Sequence, residues 1–200
     1  MRAVILLTLM VILGACEPAE KTVEADPTAG WALVSDDSRI SFVSVKAGDI
    51  GETHYFKELA GSVSPDGQVT ISVPLASVET NIDIRNERMR DLFFQVAQFP
   101  TATLTSQVDL AAFNAVEVGQ RQEADIVVTL DLHGATAEYD AKVFVTRLLA
   151  NRISVSTIEP LILSVDEFDL GDGLEELKVV AGLPSITPAV PVTASLVFTQ

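Results

Sequence analysis

Residues 123–147 read EADIVVTLDLHGATAEYDAKVFVTR. Ile126, Val128, Leu130 and Leu132 alternate with Asp125, Thr129 and Asp131, and Tyr139, Ala141, Val143 and Val145 take the pattern up again. A period of two places one set of side chains on one face of a strand and the other set on the opposite face. This stretch is therefore read as two β-strands, over 123–133 and 135–147, each with one buried face.

The same reading extends in both directions. Val69, Ile71, Val73 and Leu75 share one face, with Thr70 and Ser72 on the other, and Val192, Ala194, Leu196 and Phe198 repeat it near the C-terminus. Asp66-Gly67 lies between two such runs and suits a tight hairpin turn. About eight strands are expected, over 31–47 (with a bend at Asp36-Asp37), 56–64, 68–77, 101–110, 123–133, 135–147, 152–162 and 191–199. Many short antiparallel strands in one chain argue for a sandwich or a barrel, and periodicity does not choose between the two.

Two segments break the β pattern. In 80–96, Met89, Leu92, Phe93 and Val96 stand at i, i+3, i+4 and i+7, one helical stripe. Thr80 with Asp83 has the spacing of a capping box, and Pro100 ends the segment. In 172–182, Leu174, Leu177, Val180 and Ala181 keep helical spacing, with Gly182 as the stop. Two short helices are expected, packed at the ends of the β structure.

The first sixteen residues are of another kind. Arg2 precedes an apolar run of about half the roughly 20 residues needed to span a bilayer, and small residues precede Cys16, the chain's single cysteine. That is the layout of a secretory signal, and it resembles the lipobox of bacterial lipoproteins. The resemblance implies that residues 1–15 are a signal peptide and that Cys16 is the lipidation point. Glu17 stands where Asp commonly signals inner-membrane retention, so in a Gram-negative cell the expected location is the outer membrane, facing the periplasm. Residues 16–29, polar and containing Pro18 and Pro27, read as the lipidated N-terminus and a flexible tether. Residues 30–200 form the expected folded domain.

Loss of residues 1–15 removes one basic residue, leaving 12 basic against 28 acidic and a net charge of −16. So acidic a surface repels nucleic acid and anionic headgroups. Nucleic acid is therefore excluded as a partner, and membrane contact is expected through the acylated N-terminus. A single cysteine permits no internal disulfide, so stability must come from a core.

No catalytic constellation is apparent. His54 and His133 lie far apart in sequence and are read as ordinary surface or turn residues. Asp166, Asp169 and Asp172 are read as a solvated acidic loop, since the twelve-residue calcium loop is lacking. No metal and no cofactor is expected, and the phosphate-binding glycine loop and the nucleophile elbow are missing.

Several motifs carry a resemblance to a known family. Asp37-Ser38-Arg39-Ile40-Ser41-Phe42 leads into an Ile-x-Phe strand. Ser77-Val78-Glu79-Thr80, then Arg85-Asn86-Glu87-Arg88-Met89-Arg90-Asp91-Leu92-Phe93, form a middle signature. Phe99-Pro100 with Ala102, and Leu130-Asp131-Leu132-His133-Gly134, follow. Over roughly 30–200 the chain resembles the YceI-like, lipocalin-like domains that bind polyisoprenoids. Many members carry a His in the opening motif where this chain has Asp37-Ser38-Arg39, so a role for that His does not transfer.

The resemblance implies an all-β, eight-stranded antiparallel barrel whose apolar tunnel holds a long isoprenoid chain, quinone-like or polyprenyl. Phe42, Phe56, Phe93, Phe94 and Phe99 suit the lining of such a tunnel. Arg85 and Arg88 suit its polar head, or else pair with Asp83, Glu87 and Asp91 on their own helix. The function so implied is binding or carriage of an isoprenoid lipid by a periplasm-facing lipoprotein, not catalysis. The alternatives are an enzyme acting on a prenyl-type substrate, and a structural or partner-binding lipoprotein with a filled barrel. Oligomeric state, a homodimer included, is left open.

Overall fold

The computed structural model describes Asp26 and residues 29–200. The expected signal peptide, the expected lipidation point Cys16 and most of the expected tether lie outside the described residues. Twelve strands and three α-helices follow one another. They are β1 (Trp31–Leu33), β2 (Arg39–Lys46), β3 (Ile50–Phe56), β4 (Ala60–Val63), β5 (Gln68–Pro74), β6 (Val78–Glu79), α1 (Asp83–Arg88), β7 (Thr101–Gln107), α2 (Leu110–Asn114), β8 (Arg121–Leu132), β9 (Ala135–Leu149), β10 (Arg152–Thr157), β11 (Leu161–Ser164), α3 (Gly171–Val180) and β12 (Ala189–Thr199).

The twelve strands are eight rows. β1 and β2 are two halves of one bent row, since both pair with β12. The bend is the turn Ser35–Asp37, where Ser38 Oγ donates to Val34 O and accepts from the N–H of Val197. β4 and β3 follow them as the second row, β5 and β6 as the third, and β10 with β11 as the seventh. Each row pairs antiparallel with the next in chain order, and β12 returns to β1 and β2. The result is a closed up-and-down barrel of eight rows. That closure, which periodicity left undecided, removes the unpaired edges an open sheet would expose.

Inside and outside follow the sequence pattern. Ile71, Val73, Leu75, Val128, Leu130, Leu132, Ala141, Val143 and Val145 are all buried, while Asp125, Val127, Asp131, Asp140 and Lys142 are exposed. The Asp66-Gly67 turn forms as expected, with Gly67 at φ +85° and its N–H donating to Ser64 O. Two boundaries differ from expectation. The second row begins at Ile50 rather than at residue 56, and a third helix, α2, follows the β7 row.

One end of the barrel is closed. Trp31 is 2% exposed there, and Arg147, itself buried, lies with its guanidinium 5.2 Å from the indole centroid. Arg147 donates to the carbonyls of Asn114 (2.8 Å), Ala150 (2.9 Å), Val116 (3.3 Å) and Phe113 (3.5 Å). A buried cation is tolerated when its donors are satisfied, and these four carbonyls pin α2 and the loop after it across that end.

The opposite end is covered by α1, its π-helical continuation Met89–Phe93, and α3. Met89 and Phe93 are buried and Leu92 and Val96 pack against the core, so the apolar stripe faces the barrel as expected. α3 lies against this segment at Gly173, where a Cβ would stand 2.7 Å from Leu92 O and 3.0 Å from Phe93 Cα. The expected capping box does not form. The N-cap of α1 is Ile82, without a side-chain cap, and the Thr80 hydroxyl instead donates to Asn86 Oδ1 at 2.6 Å.

Candidate functional site

The barrel is hollow. A cavity of about 460 Å³ opens beneath α1 and α3, and a smaller, wholly apolar chamber of about 120 Å³ continues it towards the closed end. Leu104, Val128 and Leu161 border both. A filled barrel, one of the alternatives open at the level of sequence, is not what the chain forms.

The wall is graded from polar to apolar along its length. Inward residues of β2 run Ile40, Phe42, Ser44, Lys46 towards the open end, and those of β3 run Phe56, His54, Glu52 beside them. The uppermost rung is ionic: Glu52 bonds Lys46 at 2.6 Å and Arg85 at 2.8 Å. These two cations, more than the opposing cost of burial, hold the Glu52 carboxyl below its usual range. One layer down, Ser44 Oγ and His54 Nε2 share a hydrogen bond of 2.8 Å. Below that is an aromatic belt, with ring centroids 5.6 Å apart for Phe42–Phe56, 5.9 Å for Phe56–Phe94 and 4.9 Å for Phe93–Phe94. Mostly apolar side chains fill the rest, with Tyr139 among them.

Of the side chains expected to line a tunnel, Phe42, Phe56, Phe93, Phe94, Arg85 and Arg88 all border the cavity. Phe99 does not. It stacks on His133 at 4.1 Å outside the cavity and packs against Gly134, because the sharp turn at Gln95 and Pro100 carries it past the barrel wall. Arg85 does not pair with the acids of its own helix. Its Nη1 reaches Glu52 on β3 and its Nη2 donates to Thr80 O at 2.6 Å, since α1 lies with that face against the barrel rim. Arg88 forms no ion pair among the described residues.

His54 is a correction to the sequence reading. It is 3% exposed and sits in the cavity wall, where burial first and the Arg85 guanidinium second depress its pKa to about 4. Sequence reasoning missed it along with Ser44, Lys46 and Glu52. The inward set Glu52-His54-Phe56 is mostly polar, so β3 lacks apolar alternation. Tyr139, also on the wall, donates to Glu167 Oε2 at 2.5 Å, and burial with that carboxylate raises its phenol above the usual range.

The middle signature is a bracket that holds the cover. Asn86 accepts from the Thr80 N–H at 2.8 Å and donates to Glu79 Oε1 at 2.9 Å, and the Asn81 N–H donates to the same oxygen. Lys57 pairs with Glu79, and this pairing leads the bonds that lower the Glu79 pKa to about 2. The most distinctive motif in the sequence therefore ties α1 to the rim through the side chains of 79–86. Among the described residues no three His, Cys, Asp or Glu side chains gather as a metal site.

A hollow antiparallel barrel, closed at one end and covered by helices at the other, with a polar rim over an apolar interior, defines the class of this protein. The chain belongs to the YceI-like family, whose domain matches residues 31–198. A polyisoprenoid-binding domain from Saccharophagus degradans, implicated in plant cell wall breakdown, is 39% identical, with a TM-score of 0.83 over 85% of this chain and 98% of that one. BcnA of Burkholderia cenocepacia shares the fold at 17% identity, with a TM-score of 0.63 over 82% of this chain and 98% of its own. Among curated proteins none matches the chain significantly.

Proposed function

We propose that this protein binds a long isoprenoid lipid in the barrel cavity, tail towards Trp31 and head beneath α1, and that it does so as a lipid-anchored protein of the cell envelope. The observation that carries the reading is the graded cavity. An interior with an aromatic belt and an aliphatic floor suits an unsaturated hydrocarbon chain, and polar groups confined to the upper two layers suit a single polar end. The 39% identical polyisoprenoid-binding domain supports the same ligand class.

Energetics favour carriage over permanent storage. A chain in a bilayer is already solvated by hydrocarbon, so transfer into an apolar cavity has little hydrophobic driving force. Retention then depends on the head-group end. The reading is one of binding, with Lys46, Glu52 and Arg85 at the rim engaged with one another.

The anchor fits this picture. Asp26 is held at the closed end, where Gln200 Nε2 donates to Asp26 O at 2.8 Å. It stands ten positions after Cys16, a reach of at most roughly 33–36 Å. With Cys16 acylated in the outer membrane, the protein is held on the periplasmic side and attached from its closed end.

Organic extraction of protein purified from its native envelope, followed by mass spectrometry, tests ligand class. A stoichiometric polyisoprenoid is expected. A clean extract, together with no uptake of added prenyl lipid, removes the proposal.

A further inference from the structure

Outside the ionic rung and the apolar wall, one feature of the cavity has no structural partner. His54 Nδ1 is buried and makes no hydrogen bond, and the same is true of Arg85 Nε directly above it. Buried polar atoms in native proteins are almost always paired. Both belong to side chains that border the cavity, and a small turn of the imidazole or the guanidinium presents them to a ligand held there.

We propose that His54 and Ser44 form the seat for a neutral carbonyl or hydroxyl oxygen at the head of the bound isoprenoid, with Arg85 Nε as a second donor. The proposal rests on isoprenoid binding by this barrel and names the part of the ligand that is read.

The geometry carries it in three steps. First, His54 lies at the boundary between polar and apolar wall: Phe42 is its register partner on β2, with ring centroids 5.2 Å apart, and Ser44 and Glu52 form the next rung towards the opening. An oxygen joined to a prenyl chain reaches this height when the chain occupies the aromatic belt and the chamber below. Second, the imidazole stays neutral, so it offers a hydrogen bond without a charge. The cations nearest to it, Lys46 and Arg85, are both engaged by Glu52.

Third, the pair can serve either kind of oxygen. When the Ser44 hydroxyl donates to Nε2, Nδ1 carries the proton and donates to a carbonyl. When Nε2 carries the proton and donates to Ser44 Oγ, Nδ1 is bare and accepts from a hydroxyl. A proton shift between the two ring nitrogens exchanges the seats, with no change in the protein's charge. A prenyl quinone and its quinol then bind with similar affinity. A phosphorylated head, by contrast, meets the Glu52 carboxylate at the rim and finds its unpaired cation in Arg88.

The experiment is titration calorimetry of the intact chain, in detergent, with three probes of equal chain length: a prenyl benzoquinone, a prenyl phosphate and the bare prenyl hydrocarbon. His54→Phe keeps an aromatic ring beside Phe42 and removes Nδ1. It is expected to weaken the quinone about tenfold and to leave the hydrocarbon within twofold. His54→Gln, which keeps an amide donor and acceptor, is expected to recover part of the loss. Imidazole nitrogen shifts should report Nδ1–H with quinone and Nε2–H with quinol.

Equal losses for quinone and hydrocarbon in His54→Phe would make His54 a packing residue and overturn the proposal. So would an unchanged quinone affinity, or a phosphate probe that binds tightest and depends on Arg88 but not on His54. If the wild-type chain takes up none of the three probes, isoprenoid binding itself fails. If it takes up the hydrocarbon but ignores the His54 changes, only the seat fails.

Discussion

His54 is a base kept from its proton. Burial and the Arg85 guanidinium bring its pKa from an ordinary 6.5 to about 4. Between these values the unfolded chain takes up a proton that the folded chain refuses. Stability therefore rises with pH across this window and levels off above about 6.5, the whole span being ~3 kcal/mol. Urea unfolding at pH 5 and pH 7.5 should show a clear gain for wild type and a much smaller one for His54→Gln. Equal gains would assign the slope to other groups. Glu79 runs in the same sense at lower pH: its pKa falls from 4.5 to about 2, so the stability it contributes through Lys57 and Asn86 is whole above about 4.5 and is lost as pH falls towards 2. The two residues lie in adjacent rows, yet the sequence marks only one of them. Glu79 stands in a distinctive motif, while His54 stands in a strand whose inward face is too polar to show alternation.

At the scale of elements, the cover over the cavity depends on one close approach. Gly173 lets α3 lie directly on the backbone of Leu92 and Phe93, where a methyl group would stand 2.7 Å from a carbonyl oxygen. Neither partner can yield easily, because the strain falls on main chain rather than on a flexible side chain. Gly173→Ala should therefore cost about 1–3 kcal/mol and shift α3 outward. A thermal melt should detect the loss, and exchange of amide protons in 171–180 should quicken without a comparable change in β8 and β9. Unaltered exchange in α3 would show that the contact is looser than the backbone positions require. The expected Thr80–Asp83 cap failed for a related reason. Thr80 is 2% exposed and is drawn to Asn86 by the tie between α1 and the rim. A local capping signal loses to a tertiary one when the residue is buried against another element.

For the whole molecule, the closed end and the open end have different tasks. Trp31, Arg147 and the loop that Arg147 pins seal the floor, and Asp26 is held there by Gln200. The proposed ligand end is therefore remote from the proposed anchor, and loss of that anchor should alter location without altering the fold. Cys16→Ser is expected to move the protein from the membrane pellet to the soluble fraction, with its melting temperature kept within about 2 °C, since position 16 precedes the family domain of 31–198 and changes outside a folded core stay within roughly ±0.5 kcal/mol. Retention in the pellet after this change would remove lipidation as the anchor. Replacing Glu17 with Asp should favour the inner membrane if the residue after the cysteine sorts the protein.

The number of rows, the inward faces of most of them and both major helices were legible because each depends on a local period; β3, with its polar inward face, was the exception. Ile126 to Leu132 must turn one side to the core whatever lies opposite, since a strand's side chains alternate and apolar ones avoid water. The YceI-like resemblance was legible for a similar reason: residues 77–93 form a local knot of side chains. Closure of the barrel was not local. It rests on β12 meeting β1 and β2 across more than 150 residues, and nothing in either segment alone distinguishes that partner from the edge of a sandwich. The polar rim was beyond the sequence as well. Lys46, Glu52, His54 and Arg85 come from two strands and a helix, and each is an unremarkable polar residue until the fold places it at the mouth of a hollow interior. Tertiary structure decided that these four share a site, because only a closed wall gives the inside of a barrel two ends with different surroundings.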